Sequence, residues 1–265
     1  MTVAKTRSGR SGGEQGVRPR AARKTQPPRA LGHAEITAQL GAEILSGARK
    51  PGSRLPSVEE MNATFGVSRV VLREVTKTLA AKGLVSSKTK VGTRVLESTR
   101  WAWLDPDVLR WRMADGLDAT LLRQIGEVRR AVEPAAAALA ALHRDRGALA
   151  QLRAALRGME DSVGDRLGYA RADMAFHVAV SEASGNPLFR AFTAVVEVAM
   201  TGFLSVTADR VANRGSFVAS IALHRAVAEA IAARDPHAAR RAMLRVVDVG
   251  IRDVNARRRR AGHKG

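Results

Sequence analysis

The chain is 265 residues long, and its 44 lysines and arginines outnumber its 25 acidic residues, which gives a formal net charge of +19. A balance this basic favours a polyanionic partner such as nucleic acid. The sequence has no cysteine, which excludes disulfide bonds and thiolate chemistry. No stretch reaches the roughly 18 consecutive apolar residues of a membrane span. We therefore predict a cytoplasmic protein that has no membrane partner.

Both ends of the chain are strongly basic. Residues 1–30 carry eight Lys and Arg residues against Glu14 alone, and they are rich in Gly, Ser, Pro and Gln. This composition predicts a disordered basic arm. Residues 256–265 contain the run Arg257–Arg260 and are interpreted as a basic tail. The rest of the chain is long enough for a small domain and a larger one.

The first domain, residues 31–95, contains two helix-start signals separated by a turn. Ser57 is followed three residues later by Glu60, which is a capping box, so a helix should begin there. It should end near Phe65–Gly66, where glycine can take the left-handed conformation. Ser68 should cap a second helix that runs to about Ala81.

The second of these helices should be amphipathic. At about 100° per residue, Leu72, Val75 and Leu79 fall on one side, which we predict to be core. The opposite side carries Arg69, Val70, Arg73 and Lys77. Two short strands, 84–85 and 93–95, should follow, joined by a tip that contains Lys88, Lys90 and Gly92.

The order of cap, turn, cap, arginine pair and basic hairpin is typical of a winged helix-turn-helix. Arginines in the first exposed turns of its second helix suit guanine edges and phosphates in the major groove. The alternative interpretation is a solvated basic helix that only follows a turn. The combined pattern favours the DNA-binding interpretation.

This stretch resembles the DNA-binding domain of the GntR family of bacterial transcription regulators. The matching residues are Pro51, Gly52, Leu55–Ser57, Phe65–Arg69, Val71–Glu74, Leu79, Gly83–Leu84 and Gly92–Thr93. The predicted DNA-binding residues are Ser57, Ser68, Arg69, Val70, Arg73, Lys77, Lys90 and Gly92. The resemblance implies that the tip near Lys90 and Gly92 reaches the minor groove. The chain departs from the family at Glu59, where an arginine is frequent, so its half-site sequence is expected to differ.

After a linker at residues 96–104, residues 105–255 are dominated by helix-period patterns. A capping residue followed by proline occurs at positions 105, 186 and 235 and marks three helix starts. The predicted helices after the first start are 117–143, bent at Pro134, 147–159, 169–183, 187–206, 217–233 and 236–254. The predicted fold is therefore mainly α, with a winged helix-turn-helix domain followed by an all-α helical bundle.

The bundle contains one group of candidate metal ligands. Asp173 and His177 are four residues apart, so they project from one face of a helix, and His224 lies on a later helix. These side chains can bind a divalent metal. A buried histidine on an apolar helix face is also commonly a core residue, and spacing alone favours that alternative.

The bundle resembles the FCD-type effector domain of the FadR subfamily of GntR regulators. The matching segments are Glu127–Ala135, Arg171–His177, Ser184–Pro187 and His224–Ile231. The resemblance implies that Arg129 grips a carboxylate ligand, and that Asp173, His177 and His224 supply three of four ligands to a zinc-like metal. The fourth ligand should fall at position 246, which is Val246. We therefore expect weak or effector-dependent metal binding, or a metal-free pocket.

Residues 101–111, which include three tryptophans, resemble the linker of regulators of galactonate and related sugar-acid catabolism. The predicted effector-binding residues are Arg129, Asp173, His177, Asn186 and His224. Three residues of the linker and the bundle can have a structural role instead of a ligand-binding one. Trp101 and Trp103 should pack between domains rather than touch a ligand, and Asn186 can equally be a helix cap.

The predicted function is transcription regulation by a homodimer on a pseudo-palindromic operator. A small carboxylate effector, a sugar acid by the resemblance, would release the repressor by favouring one of its conformations. Two other classes predict different behaviour. A metal hydrolase built on Asp173, His177 and His224 lacks a glutamate placed as a general base. A nucleoid-type binder would show no sequence preference and no effector.

Overall fold

The computed structural model describes residues 31–114, 119–207 and 214–262, and the basic arm 1–30 lies outside these residues. The first part of the chain contains α1 (His33–Leu45), α2 (Val58–Phe65), α3 (Arg69–Ala81), β1 (Val85–Lys88), β2 (Gly92–Val95) and α4 (Pro106–Arg112). The second contains α5 (Ala119–His143), α6 (Arg146–Asp161), α7 (Arg166–Ala183), α8 (Pro187–Thr207), α9 (Arg214–Ala232) and α10 (Pro236–Gly262). The fold is mainly α, as predicted.

The helix-turn-helix forms where the capping residues place it. The Ser57 hydroxyl accepts a hydrogen bond from the Glu60 N–H at 3.2 Å, and the Glu60 carboxylate accepts one from the Ser57 N–H at 2.6 Å. Gly66 ends α2 with a φ of +66°, in the left-handed region that favours glycine. Ser68 then caps α3 by accepting from the Val71 N–H. The predicted starts and ends of both helices are confirmed.

The small core lies behind these helices. Leu72, Val75 and Leu79 of α3 are buried, as the helical period predicts. Helix α1, which was not predicted from the sequence, contributes Ile36, Leu40 and Ile44 to this core. The antiparallel hairpin pairs Val85 with Val95 and is longer than predicted, so residues 88 and 92 lie at strand ends rather than in the tip.

Helix α4 belongs to two cores. Val108 is buried in the small core with α1 and α3, whereas Leu109 and Met113 pack in a separate cluster with Met174 of α7. The residue Trp111 lies directly against Gly41 of α1, at a position where any side chain on residue 41 would collide with the indole. The winged domain is thus in direct contact with a helix that also packs on the bundle.

A partly buried cluster of one lysine and two aspartates strengthens this junction. Lys82, which caps the C-terminus of α3, donates to both carboxylate oxygens of Asp105 at 2.8 Å and to Asp107 at 2.7 Å. Burial opposes the charge on Lys82, but the two carboxylates raise its pKa above the ordinary value. Asp105 also caps α4 by accepting from the Asp107 N–H at 2.8 Å. Asp105 therefore both caps the N-terminus of α4 and pairs with the lysine at the C-terminus of α3.

The linker tryptophans take structural roles. The Trp101 indole donates to the Leu96 carbonyl and the Trp103 indole to the Ser98 carbonyl, each at 2.9 Å. Trp101 also packs on the small core, and the two rings lie 5.4 Å apart. Neither indole is placed at a ligand site by these contacts, but they lie within the linker and the small core, and Trp103 is 37% exposed, so the predicted packing between domains is not what the described contacts show.

Helices α5–α10 enclose the main core, which is rich in alanine. Helix α5 continues through Pro134, and the predicted start of this helix at 117 lies outside the described residues. Helix α10 extends to Gly262, so the backbone of residues 256–262, predicted as a tail, is helical. The segment Gly215–Ala232 of α9 is long and apolar enough to span a membrane, but it is a core helix, with Phe217, Ile221 and Val227 buried.

Candidate effector site and DNA-binding face

The outward face of α3 presents the side chains predicted to read DNA. Arg69, Val70, Arg73 and Lys77 are all accessible to solvent, and Val70 is 70% exposed. The Arg69 guanidinium lies 3.9 Å from the Glu59 carboxylate of α2. Both side chains are more than half exposed, so this pair contributes little to stability.

The wing tip and the strand end that follows it have backbone conformations that few residues adopt. Lys90 has a φ of +65° and Gly92 a φ of +87°. A Cβ atom on Gly92 would lie 2.9 Å from Nε of Arg54. Arg54 is exposed beside the tip and was not among the predicted DNA-binding residues. In the sequence, Arg54 is only one arginine within the stretch that resembles the GntR family. Sequence reasoning missed it because only the fold brings its loop beside the wing.

Inside the bundle, the three predicted metal ligands converge. Ligand atoms of Asp173, His177 and His224 all lie within 4.8 Å of one another. Both imidazoles are 2% exposed and the Asp173 side chain is 24% exposed, so this cluster reaches from the interior of the bundle toward its surface. Helix α7 supplies Asp173 and His177 from one face, and α9 brings His224 opposite them. The structure therefore brings together what the sequence could place only on separate helices.

Polar contacts orient both imidazoles relative to Asp173. His224 Nδ1 lies 2.8 Å from the Ser220 carbonyl, an acceptor that places a proton on Nδ1. His224 Nε2 then faces Asp173 Oδ1 at 3.1 Å. For His177, Nδ1 lies 2.9 Å from Glu133 and Nε2 lies 3.9 Å from Asp173. A lone pair that faces a carboxylate is stable only with a proton or a cation between them.

This arrangement fits a divalent cation. Metal-binding histidines usually donate their second ring N–H to a carbonyl or carboxylate, as Ser220 and Glu133 allow here. His224 Nε2, which faces Asp173, is buried without a hydrogen bond of good geometry within the described residues. The donor set of one carboxylate and two imidazoles suits zinc and similar ions.

Arg129 and Glu133 form a buried ion pair beside this cluster. Arg129 Nε donates to Glu133 at 2.7 Å, and its terminal nitrogen lies 3.3 Å from His177 Nε2. Burial would raise the pKa of Glu133, but the Arg129 and His177 charges lower it to about 2. Glu133 was not predicted as a site residue. Its only sequence signal is the four-residue spacing from Arg129 on one helix face.

The charges in the cluster stabilise one another. Burial opposes ionisation of Asp173, yet His224, His177 and Arg129 hold the pKa of that carboxyl far below its usual value. Burial likewise opposes charging of His224, but Asp173 raises the pKa of the imidazole above its ordinary value. Asp173 is therefore held in its ionised form by the two imidazoles and the Arg129 guanidinium around it.

Position 246 and Asn186 supply no ligand to this cluster. Val246 is buried in the main core on α10, and Asp248 turns away to pair with Arg130 at 3.1 Å. Asp248 therefore does not replace the missing ligand. Asn186 caps α8 with its side-chain oxygen, which accepts from the Leu188 N–H at 3.0 Å. This cap is the alternative that the sequence left open for Asn186.

Comparison with known proteins agrees with both halves of this description. Residues 33–95 match the model of the bacterial regulatory proteins of the gntR family, and residues 124–249 match that of the FCD domain. The galactonate operon transcriptional repressor of Escherichia coli K12 is 32% identical over 80% of this chain and 92% of its own length. The chain belongs to the GntR family.

Within this family, the chain has the two-domain arrangement of FadR-subfamily regulators, and its relatives are transcription regulators rather than enzymes. The HTH-type regulator Mce2R of Mycobacterium tuberculosis is 31% identical over 78% of this chain and 85% of its length. A solved structure described as Lar, which controls the Listeria monocytogenes agr system, has the same fold. It aligns with a TM-score of 0.56 at 19% identity, covering 88% of this chain and 99% of its own. The chain is a DNA-binding transcription regulator.

Proposed function

We propose that this GntR regulator represses a sugar-acid catabolic operon and is released from its operator by the acid. The observation that carries this proposal is the convergence of Arg129, His177 and His224 on Asp173 inside the FCD domain. Cationic groups buried in a bundle suit an anionic ligand. The relative that regulates a galactonate operon supports an aldonic acid as the ligand class.

A carboxylate ligand can be held in this site in two ways. It can take over the Arg129 contact in a bidentate pair, or it can complete the shell of a cation held by Asp173, His177 and His224. Such a cation would polarise the carboxylate and fix its orientation. Because Val246 offers no fourth ligand, a ligand oxygen would fill that position, so metal and acid binding would strengthen each other.

On DNA, a cytoplasmic homodimer would place two α3 helices in successive major grooves of a pseudo-palindromic operator. Arg69 and Arg73 would read bases, while Lys77, Lys90 and the arm would contact phosphates. The exposure of the α3 face and of the wing tip supports these roles. Helix α4 offers a route between the two functions, because it packs on the winged domain and on Met174, next to Asp173.

A thermal-shift screen of aldonic and uronic acids, with and without a chelator, tests the proposal. A specific acid at a hundredfold excess over its Kd adds about 2.7 kcal/mol of stability, or roughly 5–10 °C for a chain of this size. The same acid should release a fluorescent operator from the protein. Loss of the shift on chelation would place a metal in the site. Equal, negligible shifts with every acid would remove the sugar-acid function and leave the DNA-binding role intact.

A further inference from the structure

A groove runs between α3 and the wing hairpin, and the loop that precedes α2 forms its third side. The groove has a volume of about 420 Å³. Among the described residues, the charged side chains that line it are all cationic: Arg54, Arg73 and Lys77. Four residues with hydroxyl groups also line it: Ser57, Thr76, Ser87 and Thr93. A groove with this lining suits an anionic ligand.

The backbone fixes the position of Arg54 in this loop. The Leu55 N–H donates to the Thr93 carbonyl of β2 at 2.9 Å. Arg54 itself forms an antiparallel β-bridge with Arg94 of the same strand. The Arg94 guanidinium donates to the Gly52 carbonyl at 2.7 Å, which holds the start of the loop. The loop therefore forms a third edge of the wing, and side chains on such an element are positioned more precisely than those on a free loop.

The side chain of Arg54 lies against Gly92. A Cβ atom at residue 92 would lie 2.9 Å from Nε of Arg54 and 3.4 Å from its Cζ and Nη2 atoms. A methyl group there would displace the guanidinium, because these atoms are the far end of a flexible side chain. The absence of a side chain at residue 92 therefore leaves room for the Arg54 guanidinium on the wing.

The exposed Arg54 guanidinium has no ion-pair partner among the residues that the structure describes. Glu60 is nearby, but its carboxylate accepts a hydrogen bond from the Ser57 N–H at 2.6 Å. That hydrogen bond is the main cause of the lowered pKa of the Glu60 carboxyl, and the Arg54 charge contributes least to it. An exposed guanidinium that is held in place without a counter-ion is available to bind a phosphate.

We propose that Arg54 binds the DNA phosphate strand that separates the major groove from the adjacent minor groove. When α3 enters the major groove and the wing tip enters the minor groove, that strand passes between them, along the groove that Arg54 lines. The planar guanidinium is suited to a bidentate contact with two phosphate oxygens. The inference rests on the proposed placement of α3 and the wing on DNA, and it is independent of the effector.

The test uses the full-length protein and an operator duplex that the wild type selects from random sequences. Each phosphate in turn is replaced by an uncharged methylphosphonate, and fluorescence anisotropy gives the affinities of the wild type and Arg54→Ala. At one linkage in each half-site, the replacement should weaken the wild type about tenfold or more, as expected for a charged hydrogen bond. Arg54→Ala should not respond to that replacement. If Arg54→Ala responds like the wild type at every linkage, the proposal is wrong.

Salt titrations with random-sequence DNA give a second readout that needs no operator. Arg54→Ala should make the slope of log Kobs against log salt shallower by about 0.9 for each bound protomer, and Arg54→Lys should keep the wild-type slope. Arg49→Ala is the matched control, since Arg49 pairs with Glu43 at 2.6 Å, and its slope should not change. A wild-type slope in Arg54→Ala would overturn the proposal. If Arg69→Ala keeps its operator preference, the placement of α3 fails, and the methylphosphonate series still decides whether Arg54 binds a phosphate.

Gly92→Ala tests the position of the guanidinium. Because the added methyl group displaces Arg54, this substitution should weaken DNA binding in the wild type and have a much smaller effect in Arg54→Ala. Residue 92 has a φ of +87°, so melting temperatures of the single and double variants are needed to separate backbone strain from lost DNA binding. An equal loss of affinity in both backgrounds would contradict this position of Arg54.

Discussion

At the scale of single residues, the candidate site depends on Arg129 having a counter-ion of its own. Glu133, one turn further along α5, accepts from Arg129 and lies within ion-pair distance of His177. Both members of the pair are less than 10% exposed. The arginine is thus already paired with a carboxylate, and under the proposed function an effector carboxylate would compete with Glu133 for it.

Replacing Arg129 alone should therefore affect the fold as well as the effector response. Arg129→Ala leaves the Glu133 charge buried without a partner, which costs about 3–5 kcal/mol in similar pairs. The double variant Arg129→Met/Glu133→Leu should recover most of that stability and still lose the effector response. Urea unfolding and effector titration of both variants measure these effects. A stable Arg129→Ala protein with a normal response would place the carboxylate contact elsewhere.

The exposed residues of α3 allow a cleaner substitution. Arg69→Ala should abolish the preference for operator over random DNA and leave residual affinity for both, because a base contact carries specificity. Lys77→Ala is the control on the same helix, and it should weaken binding to both DNAs alike. Competition assays at one fixed salt concentration compare the two ratios. Operator preference retained in Arg69→Ala would contradict the assignment of α3 as the recognition helix.

At the scale of elements, the turn after α3 is built around Gly83. Its φ of +71° is in the left-handed region, and a side chain there would collide with the carbonyl oxygen of Arg100. The recognition helix can end against the linker only because this residue has no side chain. The linker backbone thereby lies against the end of α3, close to the Lys82 ion pair.

Gly83→Ala should therefore destabilise the protein by more than backbone strain alone. Strain costs about 1–2 kcal/mol for an alanine in the left-handed region, and the clash with backbone adds to it. Gly66→Ala is the matched control, with a φ of +66° and open space around its Cβ position. Thermal unfolding of the two variants separates clash from strain. Equal losses of stability in both would show that the Arg100 contact is unimportant.

At the scale of the whole molecule, α4 couples the two domains. It shares the small core through Val108 and the Met174 cluster through Leu109, and Lys82 binds its first turn. Under the proposed function, a shift of α7 on effector binding would reach α3 through these packed side chains. Because side chains in such a core are closely packed, helices that move tend to switch between two discrete positions rather than deform gradually.

Lys82→Met should weaken this coupling. The ratio of operator affinity without and with the effector should fall by about two- to thirtyfold, which corresponds to about 0.5–2 kcal/mol of coupling. Lys77→Met is the control, because Lys77 pairs with Glu74 of its own helix rather than with a residue of α4. Fluorescence anisotropy of a labelled operator gives both ratios. If Lys82→Met and the wild type give the same ratio, the ion pair stabilises the junction without transmitting the signal.

The basic arm contributes a large share of the positive charge of the whole molecule. Deletion of residues 1–30 removes eight of the 44 cationic side chains. If these side chains bind phosphates, the slope of log Kobs against log salt should become shallower by about 0.9 for each phosphate that the arm neutralises. Titrations of operator from low to high salt measure this slope. An identical slope for the shortened chain would show that the arm binds no phosphates.

The sequence by itself determined the local structure and the class of protein. Ser57, Gly66 and Ser68 set the ends of α2 and α3 because capping and the left-handed turn depend on neighbouring residues only. The exposed arginine face of α3 followed from the helical period. Helix α1 was not predicted, because it begins after Gly32, which has no side chain to mark the helix start.

Only the tertiary structure decided which groups meet across helices. Spacing on α7 predicted that Asp173 and His177 share a face, but the packing of α5 and α9 determined that Glu133 and His224 join them. These residues are distant in sequence, so no local pattern reveals their coupled charges. The physical reason is that burial and electrostatic coupling depend on the surrounding helices, which only the folded chain brings together.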